Sequence, residues 1–223
     1  MKTIYIRLMV KFIFLFSFST SLFAQGTYLL DGKSSFGFAR AFGFISGASS
    51  SFNVVGVNIK GELDINFGKG NAKFKTSSDE YELEPGAKST MVSFSFYPTK
   101  PDTSKGSFFT SISLHASKTI IERKYSSRSF ESHDFGIEIF PTFSQTTFHP
   151  YRRILTSPSI GATINTTDAS INFHFSLNLG FCVEIQENML LIFEGGLGSL
   201  LGAGNKDFGP ILGISVGTLF LIH

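Results

Sequence analysis

Residues 171–184 read INFHFSLNLGFCVE and alternate between apolar and polar side chains without a break. One parity, from Ile171 to Val183, is entirely large and apolar, and the other, from Asn172 to Glu184, is mostly small or polar. An extended strand points successive side chains to opposite faces, so this segment predicts a strand with one apolar and one polar face. Its length of about 14 residues exceeds the roughly 9–11 that a tilted strand needs to cross a membrane. The stretch therefore predicts a wall strand of a transmembrane β-barrel, with its polar face toward the lumen.

The same alternation recurs along the chain and gives a strand count. Asn53–Phe67 is the second clear case, with Gly61 inside it. The sequence thus predicts an all-β fold, a single antiparallel up-and-down barrel of eight strands from residue 52 onward. Pro141 and Pro158 fall inside two of these strands, where each removes a ladder donor and predicts a weak pairing or a bulge. The six further candidates are Lys88–Pro98, Ser107–Lys118, Asp134–Ser144, Arg153–Ile164, Met189–Leu200 and Gly209–Ile222.

Residues 25–51 leave an alternative open. Phenylalanines alternate with glycine and alanine from Phe36 to Phe44, with Arg40 among them. This segment is either a further strand of a ten-stranded barrel, with Tyr28–Asp31 as its partner, or an N-terminal extension or plug. The domain assignment is accordingly a signal peptide over 1–24, an N-terminal segment over 25–51 and an outer-membrane barrel over 52–223, with eight strands favoured over ten.

The first residues have the features of a secretory signal peptide. Lys2, Arg7 and Lys11 precede the apolar run Phe12–Phe23, which is too short to span a membrane as a helix, and cleavage is expected near Ala24. Three of the 19 basic residues lie in this segment, which leaves 16 against 17 acidic residues. The basic patch typical of nucleic-acid binding is therefore absent. A single cysteine excludes an intrachain disulfide.

At this point the chain resembles the small outer-membrane β-barrel proteins of Gram-negative bacteria. The resemblance covers the signal and the barrel, and the expected Ala24-Gln25 cut with Phe- and Gly-rich strands is similar to members from the Bacteroidetes. It implies location in the outer membrane more strongly than any activity. In that family the last strand usually ends in an aromatic residue, whereas here Phe220 is followed by Leu221, Ile222 and His223.

Polar residues on the inward parity are the candidate lumen-lining positions. An eight-stranded barrel is only wide enough for side chains to fill it, so a filled hydrogen-bonded network is favoured over an open pore. The five histidines show no metal-ligand spacing, so neither a metal nor a cofactor is expected. The lumen candidates are Lys60, Glu62, Asp64, Glu138, His174, Glu184 and Glu194.

One short stretch resembles an enzyme. His174-Phe175-Ser176 is similar to the His-x-Ser pair of the lipid A deacylase family, in which the histidine activates the serine for ester hydrolysis and an acidic residue orients the histidine. Glu184 or Glu187 is the candidate acid. Leu177 follows the serine where that family has Asn, and the pair lies on the polar, inward parity. The favoured interpretation is two polar wall residues and no catalysis.

The connections supply the remaining expectations. The charged segment Lys69–Pro85 is predicted to be a solvated surface loop, with a hairpin above the membrane as the alternative. Thr119–His133 is predicted to be an external loop, and a basic cluster lies in or beside it: Lys118, Arg123, Lys124 and Arg128. A solvated loop is the favoured interpretation of this cluster, and contact with lipopolysaccharide phosphates is the alternative. The expected partners are outer-membrane lipid, lipopolysaccharide and a surface ligand of the external loops, with the barrel a monomer. The functions weighed are a structural, envelope-integrity or surface-interaction role, a small pore, a lipid A esterase and a soluble periplasmic lipid-binding barrel.

Overall fold

The computed structural model describes residues 33–45, 48–74, 86–98, 107–123, 126–146, 153–166, 169–202 and 210–222. The predicted signal peptide and the segment Tyr28–Asp31 lie outside them. Among the described residues, no helix is long and apolar enough to cross a membrane. The strands are β1 (Ser34–Ile45), β2 (Ala48–Ile59), β3 (Leu63–Phe74), β4 (Gly86–Phe96), β5 (Ser107–Arg123), β6 (Ser126–Thr146), β7 (Arg153–Asn165), β8 (Ser170–Gln186), β9 (Met189–Gly202) and β10 (Ile211–Ile222).

The ten strands form one closed antiparallel barrel. Each strand pairs with its neighbours in sequence, and β1 pairs with β10 to close the wall, from Ser34 beside Ile222 to Phe44 beside Leu212. The start of β1, the end of β10 and the turn at residues 60–62 share one end of the barrel, called the turn end here. The opposite end, which contains the connections 75–85 and 203–210, is called the loop end.

The favoured count of eight strands is wrong and the ten-stranded alternative is correct. Asn53–Phe67 is two strands, β2 and β3, separated by a tight turn in which Lys60 and Gly61 have φ values of 52° and 69°. The Glu62 amide donates to the Ile59 carbonyl across this turn. Ile59 and Leu63 both face outward, so the alternation continues across the turn and hides it in the sequence.

The N-terminal segment contributes the other missing strand. Ser34–Ile45 is β1, and its partners are β2 and β10. The two prolines meet across the β6–β7 ladder. Its pairing runs to Ile139 beside Ile160 and resumes only at Phe143 beside Thr156, since each proline lacks the amide that the ladder needs.

The outer face of the barrel wall is apolar, as the sequence predicted. Large apolar side chains stand outward around the barrel, from Phe36 on β1 through Phe173 on β8 to Ile214 on β10. Two of the predicted loops contain strand. Lys69–Phe74 continues β3, and the Thr119–His133 segment is the end of a long β5–β6 hairpin in which only residues 124–125 lie outside the description.

Candidate functional site

A hydrogen-bonded polar network lies inside the barrel between β6, β7 and β8, and its centre is Glu138. Ser159 Oγ donates to Glu138 Oε1 at 2.7 Å, and His174 Nε2 lies 3.3 Å from the same oxygen. The Ser159 and Ser176 hydroxyls share a short hydrogen bond, and Asn178 Nδ2 donates to Ser176 Oγ at 3.0 Å. We call these five residues the Glu138 network. Glu138 and His174 are only 2% and 3% exposed, so solvent does not reach the network.

Two glycines make room for the histidines of this region. Gly161 lies directly across from His174, and a Cβ built on it would come within 2.4 Å of His174 Nε2. Gly136 lies across from His115 in the same way, with a Cβ position 2.2 Å from His115 Nε2. Each imidazole ring therefore occupies the space that a Cβ atom would need on the glycine of the neighbouring strand. This pairing holds both rings against the wall beside Glu138.

The predicted lumen residues fall into three groups. Glu138 and His174 meet in the network, and Asp64 is buried at the turn end, where it accepts hydrogen bonds from Asn58 Nδ2 at 2.7 Å and from Tyr97 Oη. Glu194 and Glu184 are half-buried on the inward parity, and Glu194 accepts from Ser215 Oγ at 2.9 Å. The prediction was wrong for Lys60 and Glu62, because both are exposed in the β2–β3 turn instead of lining the wall.

The interior is less polar than the sequence analysis predicted. Near the turn end, β7–β10 turn a group of apolar side chains inward, including Leu155, Ile192 and Leu219. Cys182 belongs to this buried group instead of to a polar wall, with Ile192 as its β9 partner. On β7–β10 the lumen is therefore apolar near the turn end and polar halfway along the barrel.

The hydrogen bonds of the Glu138 network differ from the serine hydrolase arrangement. A catalytic histidine uses one nitrogen for the acid and the other for the serine hydroxyl. Here Ser159 donates to Glu138 directly, and Ser176 bonds to Ser159 and Asn178. Glu184 cannot orient His174, because ten residues of strand separate the two by roughly 33 Å, and Glu187 lies exposed in the β8–β9 turn. Glu138, from another strand, is the acid that His174 meets.

The other candidate sites are weaker. Among the described residues, no group of three or more His, Cys, Asp or Glu side chains is placed to hold a metal ion. Of the basic cluster predicted for the β5–β6 region, Lys118 forms an ion pair with Glu131 at 2.6 Å, and the same carboxylate oxygen lies 2.9 Å from His133. Arg123 and Arg128 belong to β5 and β6, and Lys124 lies outside the described residues.

Sequence reasoning missed Ser159 and the two glycines as parts of one site. Ser159 and Glu138 are on different strands, so only the register brings them together. The available signal was Gly136 and Gly161, which pair with His115 and His174 on the neighbouring strands. Their meaning becomes clear only when the strand pairing is known.

A closed antiparallel sheet with an apolar outer face and buried polar groups inside defines the class of transmembrane β-barrels. This polarity also excludes the soluble lipid-binding barrel, which needs the reverse arrangement.

Comparisons with solved structures return barrels of outer membranes. The chain is similar to Neisserial surface protein A (11% identity, 85% of this chain and 96% of that one, TM-score 0.38). It is also similar to the translocator domain of the autotransporter NalP from Neisseria meningitidis (10% identity, 98% and 97%, TM-score 0.49). A third is a major outer membrane protein from Thermus thermophilus (11% identity, 85% and 99%, TM-score 0.38). A comparison with protein-family models gives no match, and neither does one with curated proteins. Because these sequence identities and TM-scores are low, the barrel architecture is assigned from the strand pairing of this chain alone.

Proposed function

We propose that this chain is a closed, non-enzymatic barrel of the bacterial outer membrane with a structural, envelope-integrity or surface-interaction role. The observation that supports it is the Glu138 network, in which a carboxylate and an imidazole halfway along the barrel are almost fully buried and bonded to their neighbours. An open aqueous pore instead exposes the polar side chains that line it. The outer membrane is the compartment that suits an apolar-walled barrel with a secretory signal, and a Bacteroidetes source stays a prediction.

Planar-bilayer recording tests the closed barrel against the pore alternative. The full chain, refolded into detergent and shown to be folded by its heat-modifiable gel mobility, should give no single-channel steps. A Glu138→Ala/His174→Ala variant removes the two largest side chains of the Glu138 network and should conduct more than wild type. Glu187→Ala, in the exposed β8–β9 turn, is the matched control and should stay silent. Regular steps from the wild-type chain would refute the proposal and establish a pore.

Cellular experiments test the structural role and the esterase alternative. Cells that lack the chain should become sensitive to detergents and to apolar antibiotics, while their uptake of small hydrophilic solutes stays unchanged. Lipid A masses should be the same in cells with wild type and in cells with Ser176→Ala. A mass difference of one acyl chain between the two would contradict the non-enzymatic role.

A further inference from the structure

The apolar outer face of the barrel differs in height between opposite sides. On β8 seven successive outward residues, from Ile171 to Val183, are apolar. β3 lies five strands away in the ten-stranded barrel, and it contributes only three apolar outward residues, as do its neighbours β2 and β4. The register sets these nine side chains in three rows, which we call the apolar block. From the loop end to the turn end, the rows are Val55, Phe67 and Val92; Val57, Ile65 and Phe94; and Ile59, Leu63 and Phe96.

Polar side chains bound the apolar block at both of its ends. Toward the loop end, the next two rows of outward residues on β2, β3 and β4 are polar, and we call them the polar flank. Its members are Asn53, Lys69, Thr90, Ser51, Asn71 and Lys88, of which only Ser51 is half-buried and the others are exposed. Toward the turn end, Lys60 and Glu62 are exposed in the β2–β3 turn. The apolar surface on this side is therefore limited to the three rows of the block.

The register of the closed barrel gives the tilt of its strands. A row of paired residues that starts at Phe42 on β1 passes through β2, β3 and β4 and reaches Ile120 on β5. In the other direction the same row passes through β10, β9, β8, β7 and β6 and reaches Phe108 on β5. The two ends of the row are offset by twelve residues. For ten strands this offset corresponds to a tilt of roughly 40° and to a rise of roughly 2.5 Å per residue along the barrel axis.

This rise converts the rows into heights along the membrane normal. The apolar face of β8 is roughly 30 Å high, whereas the apolar block, with two residues of strand to each row, is roughly 15 Å high. The lipid-facing band of outer-membrane barrels is about 25 Å tall, so β8 spans it and the block falls short by roughly 10 Å. A tilt of the whole barrel would not remove the difference, because it would need apolar side chains at the turn end of β2 and β3, where Lys60 and Glu62 are exposed.

We infer that the apolar block holds a locally thinned bilayer, in which lipid headgroups contact the polar flank roughly 10 Å closer to the turn end than they would without thinning. Polar side chains lose hydration among acyl chains even when they form ion pairs. Thinning of a bilayer costs little per ångström of mismatch. The polar flank continues toward the loop end, so headgroups reach it from the aqueous side without crossing an apolar row. A second copy related by a two-fold axis along the membrane normal would have its lysines at the same height, which disfavours a dimer through this face.

Spin labels at equal heights on opposite sides of the barrel test the inference. The row from Lys69 through β1 reaches Phe181 on β8, and half of the twelve-residue offset separates Phe181 from Phe175, so Lys69 and Phe175 have the same height. Lys69→Cys and Phe175→Cys are each made in a Cys182→Ala background, which removes the one native thiol. The full chain is placed in phosphatidylcholine nanodiscs, and its fold is checked by heat-modifiable gel mobility.

Collisions of each label with oxygen and with a water-soluble nickel chelate give its depth below the lipid phosphates. We expect the label at Lys69 to lie at the headgroups and the label at Phe175 to lie roughly 5–10 Å deeper, among acyl chains. Equal depths for the two labels would overturn the thinned bilayer. Few collisions with either reagent at Lys69 would mean that protein covers the polar flank, and this result would overturn lipid as its partner.

A variant with a taller apolar block tests what sets the thickness. Asn53→Leu/Lys69→Leu/Thr90→Leu adds a fourth apolar row, so a label at Asn71 should move about 5 Å toward the bilayer centre. The label at Phe175, on the far side, should keep its depth and is the matched control. An unchanged depth at Asn71 would overturn the apolar block as the cause of the thinning. Conductance by the wild type would refute the closed barrel and would leave these depths unchanged.

Discussion

The glycine at position 161 gives the sharpest test of how the interior is packed. In Gly161→Ala the new Cβ would lie 2.4 Å from His174 Nε2 and 2.8 Å from the Ile137 carbonyl oxygen, and both distances are too short for a carbon atom. The imidazole has to leave its place beside Glu138, because the backbone of β6 is held in the ladder. The substitution therefore both overpacks the wall and breaks the buried contact between His174 and Glu138.

The expected magnitude follows from these two effects. Overpacking of a filled interior costs about 1–3 kcal/mol, and a lost hydrogen bond to a charged group costs about 1.5–3 kcal/mol. Ser159 still donates to Glu138, so the carboxylate is not left without a partner. We expect the free energy of unfolding of Gly161→Ala to fall by about 3 kcal/mol. Urea unfolding in phosphatidylcholine vesicles, followed by heat-modifiable gel mobility, measures it.

Gly195→Ala is the matched control, because its Cβ would meet only the Gly213 carbonyl oxygen at 3.8 Å, which is an ordinary contact. This variant should unfold within about 0.5 kcal/mol of wild type. In a His174→Ala background the cost of Gly161→Ala should shrink, since the ring that it displaces is gone and only the Ile137 contact remains. If Gly161→Ala and Gly195→Ala unfold at the same urea concentration, the packing of His174 over Gly161 is refuted.

Three further predictions concern other parts of the chain. Arg40→Leu removes an outward guanidinium that stacks over the Phe42 ring at 5.2 Å, and it should raise the free energy of unfolding in phosphatidylcholine vesicles by about 2 kcal/mol; an unchanged value would place Arg40 outside the hydrocarbon region. Asp64→Asn exchanges a charged acceptor of the Tyr97 hydroxyl for a neutral one and should lower the free energy of unfolding by about 1–2 kcal/mol in the same urea assay, whereas no change would mean that the bond contributes nothing. N-terminal sequencing of the protein from membranes should begin at Gln25, and a start at Met1 would contradict the signal peptide.

The side-chain alternation predicted the kind of fold because a barrel wall imposes the same period of two on every strand. It failed at the turn between Ile59 and Leu63 for the same reason: three residues separate them, so the two sides of the turn continue one parity. Only the positive φ values of Lys60 and Gly61 mark the turn between β2 and β3. Lysine rarely adopts a positive φ, so Lys60 gives no signal of a turn in the sequence. The eight-strand prediction is a consequence of this coincidence together with the omission of β1.

The candidate site was predictable only in part, because parity assigns a side chain to a face and says nothing about its neighbours. Glu138 and His174 were chosen for their inward parity, and the register of β6, β7 and β8 then brought them together. The prediction from parity also missed the end of β3, because the charged composition of that segment was taken to indicate a loop. Lys69 and Lys73 were assigned to a loop because their segment is charged and lacks a period of two. Both nevertheless continue β3 on its outer face, which contradicts the expected apolar pattern of that face.

That contradiction is physically informative. A charged group on the lipid face costs free energy that falls toward the membrane surface. Lys69, Lys73 and Lys88 accordingly lie in the halves of β3 and β4 that are nearest the loop end. The interior shows the opposite solution, in which Glu138 is buried with hydrogen-bond donors from its own wall. The wall thus buries a carboxyl group where hydrogen-bond donors surround it, and it keeps these lysines exposed on the outer face near the loop end.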